Sequence, residues 1–160
     1  MLRDNNLVPL SRQHQHALAL CVRIERAGSI PESDLIAWQR EIAQHFRAEI
    51  RIHFDAEEQF VFPAAQDFLV LSALIKELLD DHAWMRTRFA SAEAQTLSAA
   101  EISEFAKRLS QHIRKEERQL FERLQEFMSR DQLAVMGREL EQTLKDAGQV
   151  CALSAKLDHL

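Results

Sequence analysis

The sequence contains one short pattern twice, HxxxEE, and this pattern constrains the possible folds more than any other feature of the chain. The first copy runs from His53 to Glu58 and the second from His112 to Glu117. On an α-helix, residues four positions apart lie one above the other on the same face, so each histidine and its first glutamate can reach a common point. Both copies therefore predict helices that carry an imidazole and a carboxylate side by side.

Each pair also lies on the apolar face of its predicted helix. One face consists of Trp38, Ile42, His45, Glu49, His53, Glu57 and Phe60, and the other of Ile102, Phe105, Leu109, His112, Glu116, Leu120 and Phe127. A buried imidazole or carboxylate is costly unless it is paired or binds a metal. An imidazole nitrogen beside a carboxylate oxygen is half of a ligand set for iron, manganese or zinc. Two copies among seven histidines thus favour a metal site over ordinary core or surface pairs.

The composition predicts an all-α protein. Glycine and proline number only three each among 160 residues, and hydrophobic residues make up 46% of the chain. So few helix breakers, with an ordinary apolar content, indicate one helical domain over residues 1–160.

The same numbers exclude several classes of partner. A formal net charge of -5 and the lack of a basic patch argue against nucleic-acid binding. No apolar run is long enough for a membrane span or a secretory signal. Cys21 and Cys151 form no CxxC motif and are interpreted as reduced thiols of a cytoplasmic protein. Cys21 falls on an apolar stripe, which indicates a small core residue.

Capping and breaking residues predict five helices. The first helix runs from Pro9 to about Ala27, and the second begins at a capping box of Ser29 and Glu32 and ends at about Phe62, before Pro63. The third runs from about Gln66 to Gln95, and the fourth from a capping box of Ser98 and Glu101 to about Met128. A short fifth helix runs from the cap Ser129 to about Lys145 and is ended by Gly148. Residues 33–39 either overhang the bundle or form a separate turn. The long helices predict an up-down-up-down four-helix bundle over about 7–128, with the C-terminal helix and tail in 129–160.

Each of the four long helices then contributes one histidine to the core. His14 falls on the stripe of the first helix, whereas His16 points elsewhere. His82 is the only polar member of the third stripe, which is Phe68, Leu71, Ile75, Leu78, His82, Met85, Phe89 and Ala92. With His53 and His112, these histidines surround Glu57 and Glu116. His159 lies in the tail and is interpreted as unrelated to the site.

This order of motifs resembles the hemerythrin-like HHE cation-binding domain over about residues 7–128. Residues 10–18, LSRQHQHAL, are similar to the opening motif of the family, and residues 53–63 are similar to its HFxxEExxxFP. Asp81 and His82 stand where the family often has Glu-His. The resemblance implies a four-helix bundle with a non-haem di-iron centre. It implies His14, His53, His82 and His112 as terminal ligands and Glu57 and Glu116 as bridges, with manganese or zinc as substitutes for the two irons.

The sequence also departs from the family. Oxygen-carrying hemerythrins have HxxxH on the third helix, but Arg86 occupies the second position here, which leaves one histidine fewer. His16 and His45 are candidate substitutes. Glu49, one turn before His53, resembles an extra carboxylate of the di-iron proteins that repair iron–sulfur centres. It is either a solvated side chain, a partner that orients His53 or a site for iron in transit.

Three functions follow from these patterns. The first is a di-iron module that binds or senses oxygen, nitric oxide or iron itself. The second is peroxide or nitric oxide chemistry, or iron delivery for repair of iron–sulfur centres. The third is a helical interaction protein without metal. The first is favoured because no residue resembles a dedicated acid, base or nucleophile beside the ligands. Since the chain has no tyrosine, a tyrosyl-radical enzyme is excluded.

Overall fold

The computed structural model describes residues 2–157, with the side chains of residues 2–145, and this part of the chain is helical without a strand. The prediction of an all-α fold is therefore confirmed. Five helices follow one another: α1 (Val8–Ala27), α2 (residues 35–66), α3 (Ser72–Glu93), α4 (residues 99–127) and α5 (Arg130–Leu157). Short 3-10 turns at Glu32–Asp34 and Leu69–Leu71 precede α2 and α3.

Wider π-helical turns interrupt two of the helices. In α2 they cover Phe46–Ile50 and Glu57–Val61, and in α4 one covers Glu116–Leu120. Two of them begin at the first glutamate of an HxxxEE copy. The turn before each remains α-helical, because the backbone N–H of Glu57 donates to His53 and that of Glu116 to His112. Histidine and glutamate thus keep their common face, and the helix changes pitch immediately afterwards.

Three of the predicted helix ends are confirmed. Ser98 and Glu101 form the predicted capping box at the start of α4. Ser129 caps α5, because its Oγ accepts from the backbone of Gln132. Gly28 ends α1 with φ of 63°, a backbone angle that suits glycine.

Two predictions at the ends of α2 are wrong. Ser29 and Glu32 form no capping box, because Pro31 is the N-cap of the 3-10 turn and no side chain caps that turn. Residues 33 and 34 belong to this separate turn, and α2 begins at Leu35. Pro63 does not end α2, which continues to Gln66. The proline follows a π turn and stands in the first turn of the next α-helical segment, where its missing N–H costs little.

The predicted start of α3 and the predicted end of α5 are also wrong. Helix α3 begins at Ser72 rather than near Gln66, because Phe68 has extended backbone angles and a 3-10 turn follows it. Helix α5 was expected to be short, yet it continues past Gly148 to Leu157. A single glycine inside a helix costs only about 1 kcal/mol, so the remaining residues can outweigh it. The side chain of Cys151, and His159 in the tail, lie outside the described residues.

The bundle buries two apolar clusters, one on each side of a polar layer. Helix α1 packs mainly on α4 and α2 mainly on α3, while α5 lies against α1 and α2. One cluster includes Cys21, Ile24, Ile42, Phe89 and Phe105, and the other includes Leu10, Phe62, Ile75, Leu120 and Phe121. Along each helix of the bundle, the change from one cluster to the other occurs at the predicted site residues. No helix in the described range 2–157 is long and apolar enough to cross a membrane.

Candidate metal centre

The polar layer contains all six residues that the sequence predicted for a metal site. They are His14 on α1, His53 and Glu57 on α2, His82 on α3, and His112 and Glu116 on α4, and every one of them is buried. None is more than 5% exposed. Six titratable groups in one dry layer need partners, since buried polar groups are costly when they are alone.

The six residues form two overlapping groups. Half-site 1 comprises His14, His53, Glu57 and Glu116, and half-site 2 comprises His82, His112, Glu57 and Glu116. In each group one nitrogen or oxygen atom of every residue lies within 4.8 Å of the others. The imidazoles face one another in pairs, with 2.9 Å between Nε2 of His14 and His53 and 3.1 Å between Nε2 of His82 and His112. Each pair of nitrogens is directed at one small space.

The two carboxylates each offer one oxygen to each half-site. Oε1 of Glu57 lies 3.2 Å from His53 Nε2, and its Oε2 lies 3.4 Å from His82 Nε2. Oε2 of Glu116 lies 3.2 Å from His14 Nε2, and its Oε1 lies 3.0 Å from His112 Nε2. This is the arrangement that two bridging carboxylates need.

The residues present fit a pair of cations. All four carboxylate oxygens of Glu57 and Glu116 are buried and accept no well-aligned hydrogen bond, although an imidazole nitrogen lies 3.0 to 3.4 Å from each of them. Buried oxygens in proteins are normally satisfied, so unpaired ones need an explanation. Two imidazole nitrogens and two carboxylate oxygens per half-site are a donor set that suits iron, manganese or zinc. A cation in each half-site would satisfy the oxygens that the protein leaves unpaired.

The outer nitrogens of the histidines have partners that the sequence analysis did not identify. Nδ1 of His14 donates to Glu117 at 2.7 Å, and Nδ1 of His82 donates to Glu58 at 2.8 Å. The second glutamate of each HxxxEE copy therefore fixes the histidine of another helix. Its repeated position in the motif was the available signal. Such partners fix the ring orientation and leave Nε2 free to bind a metal.

The other two histidines face the residues that precede His14 and His82. Nδ1 of His53 donates to Gln13 at 2.8 Å. Nδ1 of His112 lies 3.5 Å from Asp81, which is too far for a hydrogen bond, and the contact is electrostatic. The two half-sites thus place equivalent residues beside these histidines, although only His53 has a hydrogen bond at Nδ1.

Arg86 stands at the position where the oxygen carriers have an extra histidine, and it contacts two carboxylates. Its guanidinium donates to Glu58 at 2.6 Å and to Asp55 at 3.1 Å. It therefore contacts the carboxylate that orients His82 and is not among the candidate ligands. Arg86 thus contacts the hydrogen-bond partner of the candidate ligand His82.

The charges in the centre are distributed as ion pairs. Burial lowers the pKa of His14, but Glu116 and Glu117 outweigh it and raise the pKa to about 10. Burial also lowers the pKa of His112, but Glu116 and Asp81 raise it to about 9. Both imidazoles are therefore positively charged at neutral pH.

The two buried carboxylates do not behave as an isolated pair of like charges, in which repulsion would make one of them take up a proton. Burial and the charge of Glu116 do raise the pKa of Glu57, but His53 and His82 lower it by more. The pKa of Glu116 is also far below its ordinary value, because His112 and His14 outweigh burial. The protons lie on His14 and His112 instead.

A cavity of about 10 Å³ adjoins half-site 1. Its lining includes Gln13, His14, Ala17, Glu49 and His53. A cavity of this size holds about one water molecule. The space beside the candidate ligands therefore suits a molecule of very few atoms.

The three residues considered as extra ligands lie outside both half-sites. Glu49 accepts from Nδ1 of His16 at 2.9 Å and lies 4.0 Å from Nε2 of His45. None of them belongs to a ligand group found among the described residues. Glu49 also makes no hydrogen bond to His53, whose outer nitrogen is bound to Gln13.

The thiol of Cys21 takes no part in the centre. It is a free cysteine buried in the first apolar cluster, as the sequence predicted. Burial and the nearby Glu25 raise its pKa to about 12, so the thiol is uncharged and unreactive.

Comparison with protein families agrees with the geometry. Curated proteins and solved structures gave no match to the chain. The model of the hemerythrin HHE cation binding domain matches residues 7–124, which include all six residues of the two half-sites. The chain therefore belongs to the hemerythrin HHE cation-binding family, and its buried histidine and glutamate cluster fits a metal site.

Proposed function

We propose that the protein holds two iron ions in a non-haem di-iron centre and uses them to bind or sense a diatomic molecule, oxygen or nitric oxide, or iron itself. The observation that carries this proposal is the position of Glu57 and Glu116. Each presents one oxygen to half-site 1 and the other to half-site 2. His14 and His53 would complete one site, and His82 and His112 the other.

The iron pair would supply redox chemistry and open coordination positions, while the protein supplies the surroundings. The four histidines are one fewer than the oxygen carriers use, because Arg86 stands where those proteins have a further histidine. The cavity of about 10 Å³ beside half-site 1 is small, which favours a ligand of very few atoms over an organic substrate. No tyrosine exists in the chain to carry a radical. These features support binding rather than conversion of an organic substrate.

Iron delivery for the repair of iron–sulfur centres is a second candidate function. Glu49 favours it, because this carboxylate lines the cavity at half-site 1 and is 26% exposed. A carboxylate between solvent and a metal site can accept an ion in transit. The two functions differ in whether iron stays in the protein.

The first test is metal analysis of protein purified without chelator, with optical spectra before and after exposure to air. We expect two irons per chain and a spectrum that changes with oxygen or nitric oxide. Zinc or manganese in place of iron would contradict the diatomic function. Loss of iron to a cluster-free acceptor protein, without a spectral response to either gas, would favour delivery.

A second test uses thermal melting of the wild type and of Glu116→Ala, each with and without iron. Iron should raise the melting temperature of the wild type, because it binds only the folded state. Glu116→Ala loses a bridge and should bind fewer than two irons. The control is Glu126→Ala on the same helix, whose side chain is exposed and paired with Arg123. If iron leaves the wild type unchanged and Glu116→Ala binds as much iron, the proposal is wrong.

A further inference from the structure

The segment 2–7 precedes α1, and it reaches the metal centre through one side chain. Nη2 of Arg3 donates to both the backbone carbonyl and the carboxylate of Glu117, each at 2.6 Å. Nη1 donates to Gln125 at 3.1 Å. Arg3 lies outside the residues matched by the family, 7–124, and is part-buried against α4.

Arg3 touches both of the groups that hold His14. The Glu117 carboxylate accepts a hydrogen bond from Nδ1, the outer nitrogen of that imidazole, at 2.7 Å. The guanidinium carbon of Arg3 also lies 5.1 Å from the ring centroid of Phe121, and this ring stacks on His14 at 5.7 Å with 12° between the planes. One arginine thus fixes the hydrogen-bond partner and the stacking partner of a candidate ligand.

The same arrangement surrounds His82 in the other half-site. Arg86 donates to Glu58 at 2.6 Å, and Glu58 accepts from His82 at 2.8 Å. Arg86 also lies 5.4 Å from the centroid of Phe54, which stacks on His82 at 3.8 Å with 16° between the planes. Both half-sites therefore have an arginine, a glutamate and a phenylalanine around one histidine. The arginines come from unrelated places in the chain.

We infer that Arg3 is a positioning residue for half-site 1, equivalent to Arg86 for half-site 2, so that segment 2–7 is a working part of the metal centre. This inference rests on the proposed function. The guanidinium fork holds the Glu117 carboxylate in one orientation, and its charge keeps that carboxylate from being an unpaired anion. The carboxylate then holds His14 with Nε2 directed into the half-site. Partners of this kind are typically worth 10- to 100-fold in metal affinity.

A purely structural role for Arg3 would consist of holding the segment on α4. Gln125 helps to separate the two roles, because it binds the backbone of the segment and Nη1 of Arg3 without contacting a candidate ligand. It accepts from the backbone of Asp4 at 3.0 Å and donates to the carbonyl of Leu2 at 3.0 Å. Gln125→Ala loosens the segment and leaves the bond between Arg3 and Glu117 possible.

The experiment is a stepwise titration of the metal-free full chain with cobalt(II), followed by visible absorption. We expect Arg3→Ala to weaken one of two binding steps about 10-fold and to change its spectrum, and Arg86→Ala to weaken the other step. The matched control is Arg123→Ala, because Arg123 pairs with Glu126 and lies over Phe127 away from the centre. It should leave both steps unchanged.

A double variant shows whether Arg3 acts through Glu117. Arg3→Ala added to Glu117→Gln should weaken binding no further than Glu117→Gln alone, because coupled residues do not act additively. Additive losses would overturn the inference, as would wild-type binding by Arg3→Ala or an equal loss in Gln125→Ala. If the wild type binds fewer than two cobalt ions, the proposed two-metal centre itself fails, which is a distinct outcome.

Discussion

Metal binding should expel protons from the centre, and their number follows from the structure. In the metal-free protein, neighbouring carboxylates raise the pKa of His14 to about 10 and that of His112 to about 9. Each imidazolium carries a proton on Nε2, the nitrogen that faces the half-site. A cation that binds this nitrogen must replace the proton, because both cannot occupy one lone pair.

The expected release can be worked out from these two values. At about pH 8 both imidazoles are almost fully protonated, so that loading both half-sites releases about two protons per chain. At about pH 9.5 half of these protons have already dissociated, and the release falls to about one. Histidines with ordinary pKa values would release almost none at either pH. The charge on these imidazoles stabilises the metal-free fold below about pH 6.5 and is lost as the pH rises through about 9 to 10.

The assay is titration of weakly buffered metal-free protein with zinc in the presence of a pH indicator dye. Ionisation of metal-bound water also releases protons, but this contribution increases with pH, whereas the contribution from the imidazoles decreases. Melting of the metal-free protein provides a second readout, and its melting temperature should fall between about pH 7 and 10. A release near zero at about pH 8 would show that both imidazoles are neutral and would refute this reasoning.

Two further outcomes are expected. His14→Ala should lower the metal content and His16→Ala should leave it unchanged, because of these two residues only His14 belongs to a half-site, whereas His16 is 62% exposed. Metal analysis of both variants checks this, and the reverse result would contradict the helix-face assignment. Gly137→Ala should lower the free energy of unfolding by about 1 kcal/mol, because the added carbon would lie 2.6 Å from Cβ of Asn6 in segment 2–7. Urea denaturation measures this change, and a variant more stable than the wild type would show that the gain in helix propensity dominates.

The sequence predicted the residues that meet in the centre because helical periodicity determines which side chains share a face. His53 and Glu57 are four positions apart within an unbroken α-helical turn, as are His112 and Glu116. His82 was found because every other member of its stripe is apolar. Periodicity of this kind depends only on local helix geometry, so it can be predicted from the sequence without knowing how the helices pack.

The supporting contacts could not be predicted in the same way. The partners of the outer nitrogens come from other helices, and their identity depends on how the helices pack and rotate. Arg3 and Glu117 are 114 positions apart, and no local pattern connects them. The π turns left no recognisable signal in the sequence either. Pro63 comes shortly after one of them and lies inside α2 instead of ending it. Propensity and capping rules describe single helices, whereas these features arise from the bundle as a whole.

The polar layer between the two apolar clusters divides the core of this bundle into two parts. In most helical bundles the ends open first, and the centre is the last part that water reaches. Here each end has a continuous apolar contact of its own, and the charged layer separates them. Two bound cations would cross-link the four helices at this polar layer. Metal occupancy would then decide whether the two ends of the protein open as one cooperative unit or separately.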